Sequence, residues 1–158
     1  MSSNERSLRD ALGQFATGVC VVTAQSAGLP AFGLTINSFS SVSLEPPLVL
    51  WSIGKSSTSF DDFMSVTQYS INVLAAEQKT LSNKYAGKDR LLTEDHLDLT
   101  RPDFPSIVGA IAKFNCEIAH RYDGGDHLII VGRVLSFDSA DSAKPLIFYA
   151  GSYNSLAA

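Results

Sequence analysis

The chain has 158 residues, of which 45% are hydrophobic and 18% charged, and its formal net charge is −4. This composition excludes a disordered or fibrous chain, and we expect a single domain over residues 1–158. The 12 basic residues are scattered, which argues against nucleic-acid binding. No apolar run approaches the roughly 20 residues of a membrane span. Residues 1–10 lack a secretory signal pattern, so we expect a cytoplasmic protein.

Cysteine and histidine spacing predicts no metal site. Cys20 and Cys116 lie far apart in apolar segments without a CxxC pattern, and we expect two reduced core thiols. His96, His120 and His127 show no HExxH or similar ligand spacing.

The first third of the chain predicts a helix followed by a hairpin. Apolar residues recur at helical spacing over 8–15, which predicts an amphipathic helix capped by Asn4 and ending near Gly18. The β-branched segment 19–24 and the turn composition of 25–30 predict a strand and a reversal. Alternating large and small side chains then predict one strand over 32–42.

The middle of the chain predicts strands that alternate with short helices. Strands are expected over 48–53 and 69–74, and a helix over 77–86 that is closed by Gly87. Another helix should begin near residue 58, because Thr58 and Asp61 are spaced like a capping box.

The last third predicts a long surface loop and more strands. The loop covers 88–110, and its length is typical of functional loops. Strands are expected over 112–120, 128–137 and 145–149, the last of them followed by a polar tail. About seven short strands with tight connections predict a mainly β, antiparallel, closed or nearly closed barrel with short helices.

No phosphate-binding glycine motif is present. The sequence contains neither GxGxxG nor GxxxxGK[ST], so a nucleotide cofactor would have to be bound without a Rossmann fold or a P-loop.

One predicted strand is unusually rich in small polar side chains. These could face the pyrimidine edge of a flavin, which offers both donors and acceptors, or they could simply face solvent. The residues concerned are Thr35, Asn37, Ser38, Ser40, Ser41 and Ser43.

Two further segments are candidates for binding. Ser52, Lys55, Ser56, Ser57 and Thr58 surround a predicted helix start and could hold the phosphate of FMN or FAD, or merely cap the helix. His127 opens a strand after a Gly-Gly turn. It could contact a nicotinamide cofactor or be an ordinary surface histidine.

Five segments resemble the flavin reductase family, whose members include the reductase components of two-component aromatic monooxygenases. They are residues 15–19 (FATGV), 35–44 (TINSFSSVSL), 46–50 (PPLVL), 125–127 (GDH) and 151–153 (GSY). The resemblance extends in order from about residue 8 to residue 153.

The resemblance implies an FMN-binding split β-barrel, antiparallel and Greek-key-like, that assembles as a homodimer. It implies cofactor contacts on an isoalloxazine strand, a ribityl and phosphate site, a helix end where Tyr85 replaces the usual Phe, and a nicotinamide site. The isoalloxazine contacts fall on Thr35, Ile36, Asn37, Ser38, Phe39, Ser40 and Ser41, and the ribityl and phosphate contacts on Ser52, Ser57 and Thr58. The helix end is Lys84 and Tyr85, and the nicotinamide contacts are His127 and Tyr153.

The leading hypothesis is an NAD(P)H:flavin oxidoreductase that reduces FMN or FAD and supplies reduced flavin to a separate monooxygenase. NADH or NADPH would be the hydride donor. No protein side chain is assigned as catalytic, because hydride passes directly between the cofactors. Two alternatives share the barrel: a non-catalytic flavin-binding protein, and a pyridoxamine-phosphate-oxidase-like flavoprotein. The latter ranks lower because few Arg and Lys residues are available for a second phosphate.

Overall fold

The computed structural model describes residues 1–157, which contain three helices and twelve strands. The helices are α1 (Ser3–Leu12), α2 (Phe60–Met64) and α3 (Lys79–Ala86). The strands are β1 (Thr17–Gly18), β2 (Cys20–Ala24), β3 (Phe32–Ile36), β4 (Ser40–Leu44), β5 (Pro47–Gly54), β6 (Gln68–Val73), β7 (Leu97–Asp98), β8 (Ser106–Ile107), β9 (Ala112–Gly124), β10 (His127–Ser139), β11 (Ile147–Tyr149) and β12 (Ser152–Asn154).

Seven strands form one antiparallel sheet in the order β3-β2-β6-β9-β10-β5-β4. Its two edge strands, β3 and β4, are consecutive in the chain and are joined by residues 37–39, which we call the edge link. A link this short spans at most about 14 Å. The sheet must therefore curl until its edges come close together, which produces a split barrel and confirms the predicted mainly β fold.

The edge link also corrects the prediction of one strand over 32–42. The alternation of side chains continues through 37–39, but the backbone there leaves one edge of the sheet and enters the other. The strand is therefore two strands that pair with different neighbours, β3 with β2 and β4 with β5.

The hydrophobic core has two parts, one on each side of strand β2. Cys20 and Val22 face the barrel interior, where Trp51 and Tyr69 are also buried. Val21 faces the opposite way, into an outer cluster against α3 and β8. Every residue of β2 is buried because core lies on both of its faces, and this explains its continuous apolar sequence.

The first two helices differ in detail from their predicted forms. Helix α1 is capped by Ser2, whose side chain accepts from the N–H of Glu5, and not by Asn4. It ends at Leu12, with Gly13 as its C-cap, well before Gly18. Helix α2 has no side-chain cap, so the predicted capping box is not formed. Ser59 occupies its N-cap position with its backbone outside the extended region that capping requires.

The C-terminal segment was predicted to be a strand and a polar tail, but it forms a hairpin. Strand β12 lies in the predicted tail and pairs with β11, which in turn pairs with β1. Residues 9–14 near the end of α1 contact the turn of this hairpin, where Ala150 N–H donates to Gly13 O at 2.9 Å.

Residues 88–110, which we call the strap, cross the outside of the barrel. Gly33 N–H donates to Arg90 O at 2.8 Å and Leu92 N–H to Ala31 O at 3.0 Å, so the strap pairs with the first half of β3. Further on, the strap contains the small hairpin β7–β8 and buries Ile107 completely. The predicted loop is therefore an anchored segment.

Within the described residues no helix has the length and apolar character to cross a membrane. The same residues hold no group of three or more Cys, His, Asp or Glu side chains arranged to bind a metal ion. Cys20 and Cys116 are both buried free thiols, and burial raises the pKa of each to about 12.

Candidate functional site

Two adjacent clefts lie where the barrel is split, at the junction of β3 with the edge link. The first, the serine cleft, has a volume of about 230 Å³ and the second, the tyrosine cleft, about 190 Å³. Both are lined by Thr35, Ile36 and Asn37, so they share a wall and form one elongated groove. Each alone is smaller than a typical ligand pocket of about 300–1,000 Å³, and the two together reach that size.

The serine cleft gathers residues that are distant in sequence. It is lined by Ser38, Ser52, Ser57 and His127. His127 meets the others because β10 pairs with β5, with His127 opposite Gly54 and Ile129 opposite Ser52. The pairing thus brings together two of the predicted binding segments, residues 52–58 and residues 124–134.

The tyrosine cleft is mostly apolar. Its remaining lining residues are Val19, Ser82, Ala86, Phe148 and Tyr153. They come from the N-terminal strand region, from α3 and from the C-terminal hairpin. The groove therefore has a polar end and an apolar, aromatic end, which suits a ligand with a flat ring system and a polar tail.

Two predicted binding hydroxyls already have protein partners. Thr35 Oγ1 donates to Ser82 O at 2.6 Å. Ser38 Oγ donates to Ser52 O at 3.2 Å and accepts from Ser52 N–H at 3.0 Å. These hydroxyls thus hold β3 to α3 and the edge link to β5, and in doing so shape the walls of the groove.

The outer edge of β3 offers backbone groups to the groove. Gly33 directs its N–H away from β2 towards the strap. Thr35, two residues further on, directs its backbone groups to the same outer edge, because backbone groups alternate sides along an antiparallel strand. Within residues 1–157 the strap pairs with the strand only as far as Gly33, which leaves Thr35 N–H and C=O without a backbone partner there and available to a ligand.

Charged groups lie at the outer rim of the serine cleft. Lys55 forms an ion pair with Asp123, and the Lys55 hydrogen bond lowers the pKa of that carboxyl. His127 Nδ1 lies 2.8 Å from Asp126 Oδ1, and this hydrogen bond lowers the pKa of Asp126. The imidazole is half exposed, with its Nε2 beside Gly54. The Asp126 contact fixes its orientation at the mouth of the cleft.

Several predicted site residues lie outside the groove. Tyr85 is fully buried in the outer core cluster, and its hydroxyl lies 3.0 Å from His96 Nδ1. The Lys84 amine donates to Leu91 O at 3.0 Å. Phe39 stacks on Phe114 at a ring distance of 5.5 Å. Ser40, Ser41 and Thr58 are exposed and line neither cleft.

Four residues that line the tyrosine cleft were not among the predicted cofactor-binding residues: Val19, Ser82, Ala86 and Phe148. Ala86 directly follows the predicted pair at the end of α3, and Val19 closes the first quoted motif, so the sequence carried a signal for these two. Ser82 and Phe148 sit in ordinary amphipathic segments, and only the fold brings them to the groove.

The fold and the groove define a split-barrel protein with a site for an elongated, partly aromatic ligand. The chain matches the family described as "Flavin reductase like domain" over residues 12–157, and it therefore belongs to that family.

Individual relatives agree with this assignment. The chain is 45% identical over 150 residues to SmoA of Agrobacterium fabrum, described as an FMN reductase (NADH), covering 95% of this chain and 85% of that protein. It is 35% identical over 153 residues to HsaB of Rhodococcus jostii, the reductase subunit of a flavin-dependent monooxygenase, covering 96% and 77%. The structure of the NADH:FAD oxidoreductase SgcE6 of Streptomyces globisporus with NAD and FAD fragments superposes with a TM-score of 0.90 at 32% identity, covering 99% and 96%.

Proposed function

We propose that this protein is an NADH-dependent flavin reductase that reduces FMN or FAD in the groove and releases it to a separate monooxygenase. The observation that carries the proposal is the groove itself. Its apolar aromatic end, its hydroxyl-lined end and the free backbone edge of Thr35 between them match the three chemical parts of a flavin nucleotide.

The chain's own residues fit a flavin in one orientation. The tyrosine cleft offers apolar walls to the ring system, from Ala86, Phe148 and the Tyr153 ring. Thr35 would present its backbone N–H and C=O to the donors and acceptors of the pyrimidine edge. In the serine cleft, Ser57 accepts from Ser59 N–H and keeps its own O–H to donate to the phosphate.

When bound, the flavin would supply the hydride acceptor, and the protein would supply alignment and a partly dry surface. His127 and Tyr153 line different clefts. We therefore assign Tyr153 to the ring end of the groove. His127, held by Asp126 at the mouth of the serine cleft, would contact the incoming dinucleotide.

The preference for NADH rests on the relatives, since SmoA and SgcE6 are both described as using NADH. Their descriptions name FMN for one and FAD for the other, which is why both flavins are proposed here. The partner monooxygenase rests in the same way on HsaB, described as a reductase subunit.

We also propose that the protein is a homodimer. Exposed large apolar side chains occur at the turn between β4 and β5, where Leu44 is 92% exposed, and in the outer half of β10, where Phe137 is 72% exposed. Leu44 lies opposite Pro47, and Leu48 opposite Arg133, so this turn adjoins the outer half of β10. A second copy would cover this face.

Sedimentation equilibrium tests the dimer proposal. The wild-type chain should be a dimer, and Leu44→Glu should weaken that dimer. A monomeric wild-type chain would contradict the proposal.

The experiment that tests the function is anaerobic mixing of the purified protein with FMN or FAD and then NADH or NADPH. We expect catalytic bleaching of the visible flavin absorbance, faster with NADH. Added cytochrome c should be reduced in step with NADH oxidation, since released reduced flavin passes electrons to it. Saturable flavin binding without bleaching would contradict the proposal and favour a non-catalytic flavin-binding protein or an amine-oxidising flavoprotein.

A further inference from the structure

The C-terminal hairpin closes one side of the tyrosine cleft, and its outer strand has few anchors. Among the strands of residues 1–157, β12 pairs only with β11, which pairs with the two-residue strand β1. Tyr153, in the middle of β12, extends its side chain towards α3 and lines the cleft. What holds this side chain to α3 therefore decides the width of the ring end of the groove.

Two neighbouring residues of α3 hold the Tyr153 hydroxyl. Ser82 Oγ lies 2.7 Å from Tyr153 Oη, and Tyr153 Oη donates to Asn83 Oδ1 at 3.0 Å. A tyrosine hydroxyl has one proton, and Asn83 Oδ1 can only accept. The chain of bonds therefore runs in one direction, from the Ser82 hydroxyl to the Tyr153 hydroxyl to the Asn83 carbonyl.

The Ser82 end of this chain of bonds and the Tyr153 ring in its middle are both firmly placed. Ser82 is fully buried, and its backbone C=O accepts from Thr35 Oγ1 at 2.6 Å, which ties α3 to the edge strand β3. Phe148 contacts the Tyr153 ring edge-to-face at a ring distance of 5.6 Å. Three sides of the tyrosine cleft, namely β3, α3 and the hairpin, are thus joined by hydrogen bonds that pass through Ser82.

We propose that Ser82 and Asn83 are positioning residues for flavin binding, which act by latching Tyr153 over the ring end of the groove. This inference rests on the proposed function. Because the only hydroxyl proton of Tyr153 is donated to Asn83, Tyr153 presents its ring to the ligand and uses its hydroxyl to hold the wall in place. Flavin affinity then depends on two side chains that need not touch the flavin.

The experiment compares variants of the full chain by flavin binding, followed by fluorescence, and by steady-state kinetics. We call the hydrogen bonds from Ser82 to Tyr153 and from Tyr153 to Asn83 the latch. Tyr153→Phe, Ser82→Ala and Asn83→Leu each remove at least one of these bonds and keep an aromatic ring at position 153. We expect Ser82→Ala and Asn83→Leu each to raise the flavin Kd and the KM for flavin about three- to tenfold, the size of one lost hydrogen bond, with kcat at saturating flavin unchanged. Tyr153→Phe removes both bonds and should raise the two constants at least as much. Asn83→Asp keeps the acceptor oxygen and should restore most of the affinity.

A matched control lies in the same hairpin. Tyr149 also ties the hairpin by its hydroxyl, which donates to Gln14 Oε1 at 3.1 Å, but it does not line the groove. Tyr149→Phe should therefore leave the flavin Kd unchanged. The double variant Tyr153→Phe/Asn83→Leu should bind flavin no more weakly than Tyr153→Phe alone, because Tyr153→Phe already removes the bond to Asn83.

The inference is overturned if Tyr149→Phe and Tyr153→Phe weaken binding equally, because general loosening of the hairpin would then be the cause. It is also overturned if Tyr153→Phe weakens binding while Ser82→Ala and Asn83→Leu do not, since the hydroxyl would then act on the ligand itself. If the wild-type chain reduces flavin and the three variants bind flavin as tightly as the wild type, the inference is wrong and the proposed function stands. A wild-type chain that neither binds nor reduces flavin sinks the proposed function.

Discussion

The buried network beneath the strap and the walls of the groove contain the same types of small polar residue, which have different roles in the two places. Asn72, under the strap, is fully buried and fully paired. Its amide donates to Val21 O at 2.9 Å and Thr23 Oγ1 at 3.0 Å, and accepts from Ile107 N–H at 2.9 Å. Asn37, in the groove, is exposed between the two clefts, and its amide makes no hydrogen bond within residues 1–157.

The difference shows what separates a structural polar residue from a binding one in this fold. A buried amide must be paired inside the protein, so it stabilises one arrangement of the strap. An amide without a protein partner, on the wall that the two clefts share, keeps its donors and acceptor for a ligand. The four predictions below test this contrast.

The largest effect is expected at Asn72. Asn72→Leu removes three hydrogen bonds and leaves the buried Ile107 N–H without a partner, so it should lower the free energy of unfolding by about 2–5 kcal/mol. Urea denaturation measures this. The matched variant Asn37→Leu should leave stability nearly unchanged and weaken flavin binding. Equal stability losses in the two variants would remove the contrast.

The next effect concerns the phosphate end of the groove. Ser57→Ala should weaken FMN binding roughly tenfold or more, because a hydrogen bond to a charged group contributes about 1.5–3 kcal/mol. Riboflavin, which has no phosphate, should bind equally well to the variant and the wild type. Thr58→Ala is the control, since Thr58 lies outside the clefts. The same loss for riboflavin as for FMN would show that Ser57 does not contact phosphate.

A smaller effect is expected at His127. His127→Ala should raise the KM for NADH about three- to tenfold, because one contact with the dinucleotide is lost, and leave the flavin Kd unchanged. Steady-state and binding assays separate these quantities. His120→Ala serves as the control because His120 is exposed and stacks on Tyr122, away from the groove. Unchanged kinetics for His127→Ala would exclude a role in binding NADH.

The smallest effect is the pH dependence of the strap. Lys113 donates to Asp98 Oδ2 at 2.7 Å, and this bond, with Thr100 N–H, lowers the pKa of Asp98 from 3.8 to about 2. A lowered folded-state pKa stabilises the protein above the unfolded value, and this contribution is lost as pH falls from about 4 to about 2. Asp98→Asn should therefore make the free energy of unfolding fall less steeply as the pH decreases through that window.

Acid titration followed by circular dichroism checks this prediction. The expected loss at neutral pH is small, about 1 kcal/mol or less. Asp141→Asn, at an exposed carboxylate with no ion pair in the described residues, is the control. If both variants keep the steep acid limb of the wild type, the ion pair does not anchor the strap.

Much of the fold could be predicted locally. Residues 19–24 were predicted as a strand from their β-branched, mostly apolar sequence, which core on both faces of β2 favours. The strand predicted over 32–42 was wrong because its side-chain alternation does not reveal that residues 37–39 change neighbours. The cap of α1 was misplaced because Ser2 and Glu5 compete better for the first turn than Asn4 does.

The candidate site was harder to predict because its parts meet only through strand pairing. The resemblance pointed to Ser52, Ser57 and His127, and the β5–β10 register brings them into one cleft. It also pointed to Tyr85, which the fold buries against His96. Ser82 carried no sequence signal, because a single serine in a helix looks the same whether it faces solvent or a cleft.

The sequence by itself determined the mainly β class, the lack of a glycine-rich nucleotide motif and the order of the motifs that resemble the family. These depend on local composition and periodicity, which the chain carries without folding. Only the tertiary structure decided which polar groups are paired internally and which remain open to a ligand. That property depends on distances between residues far apart in the chain, such as Ser82 and Tyr153, and closure of the sheet sets those distances.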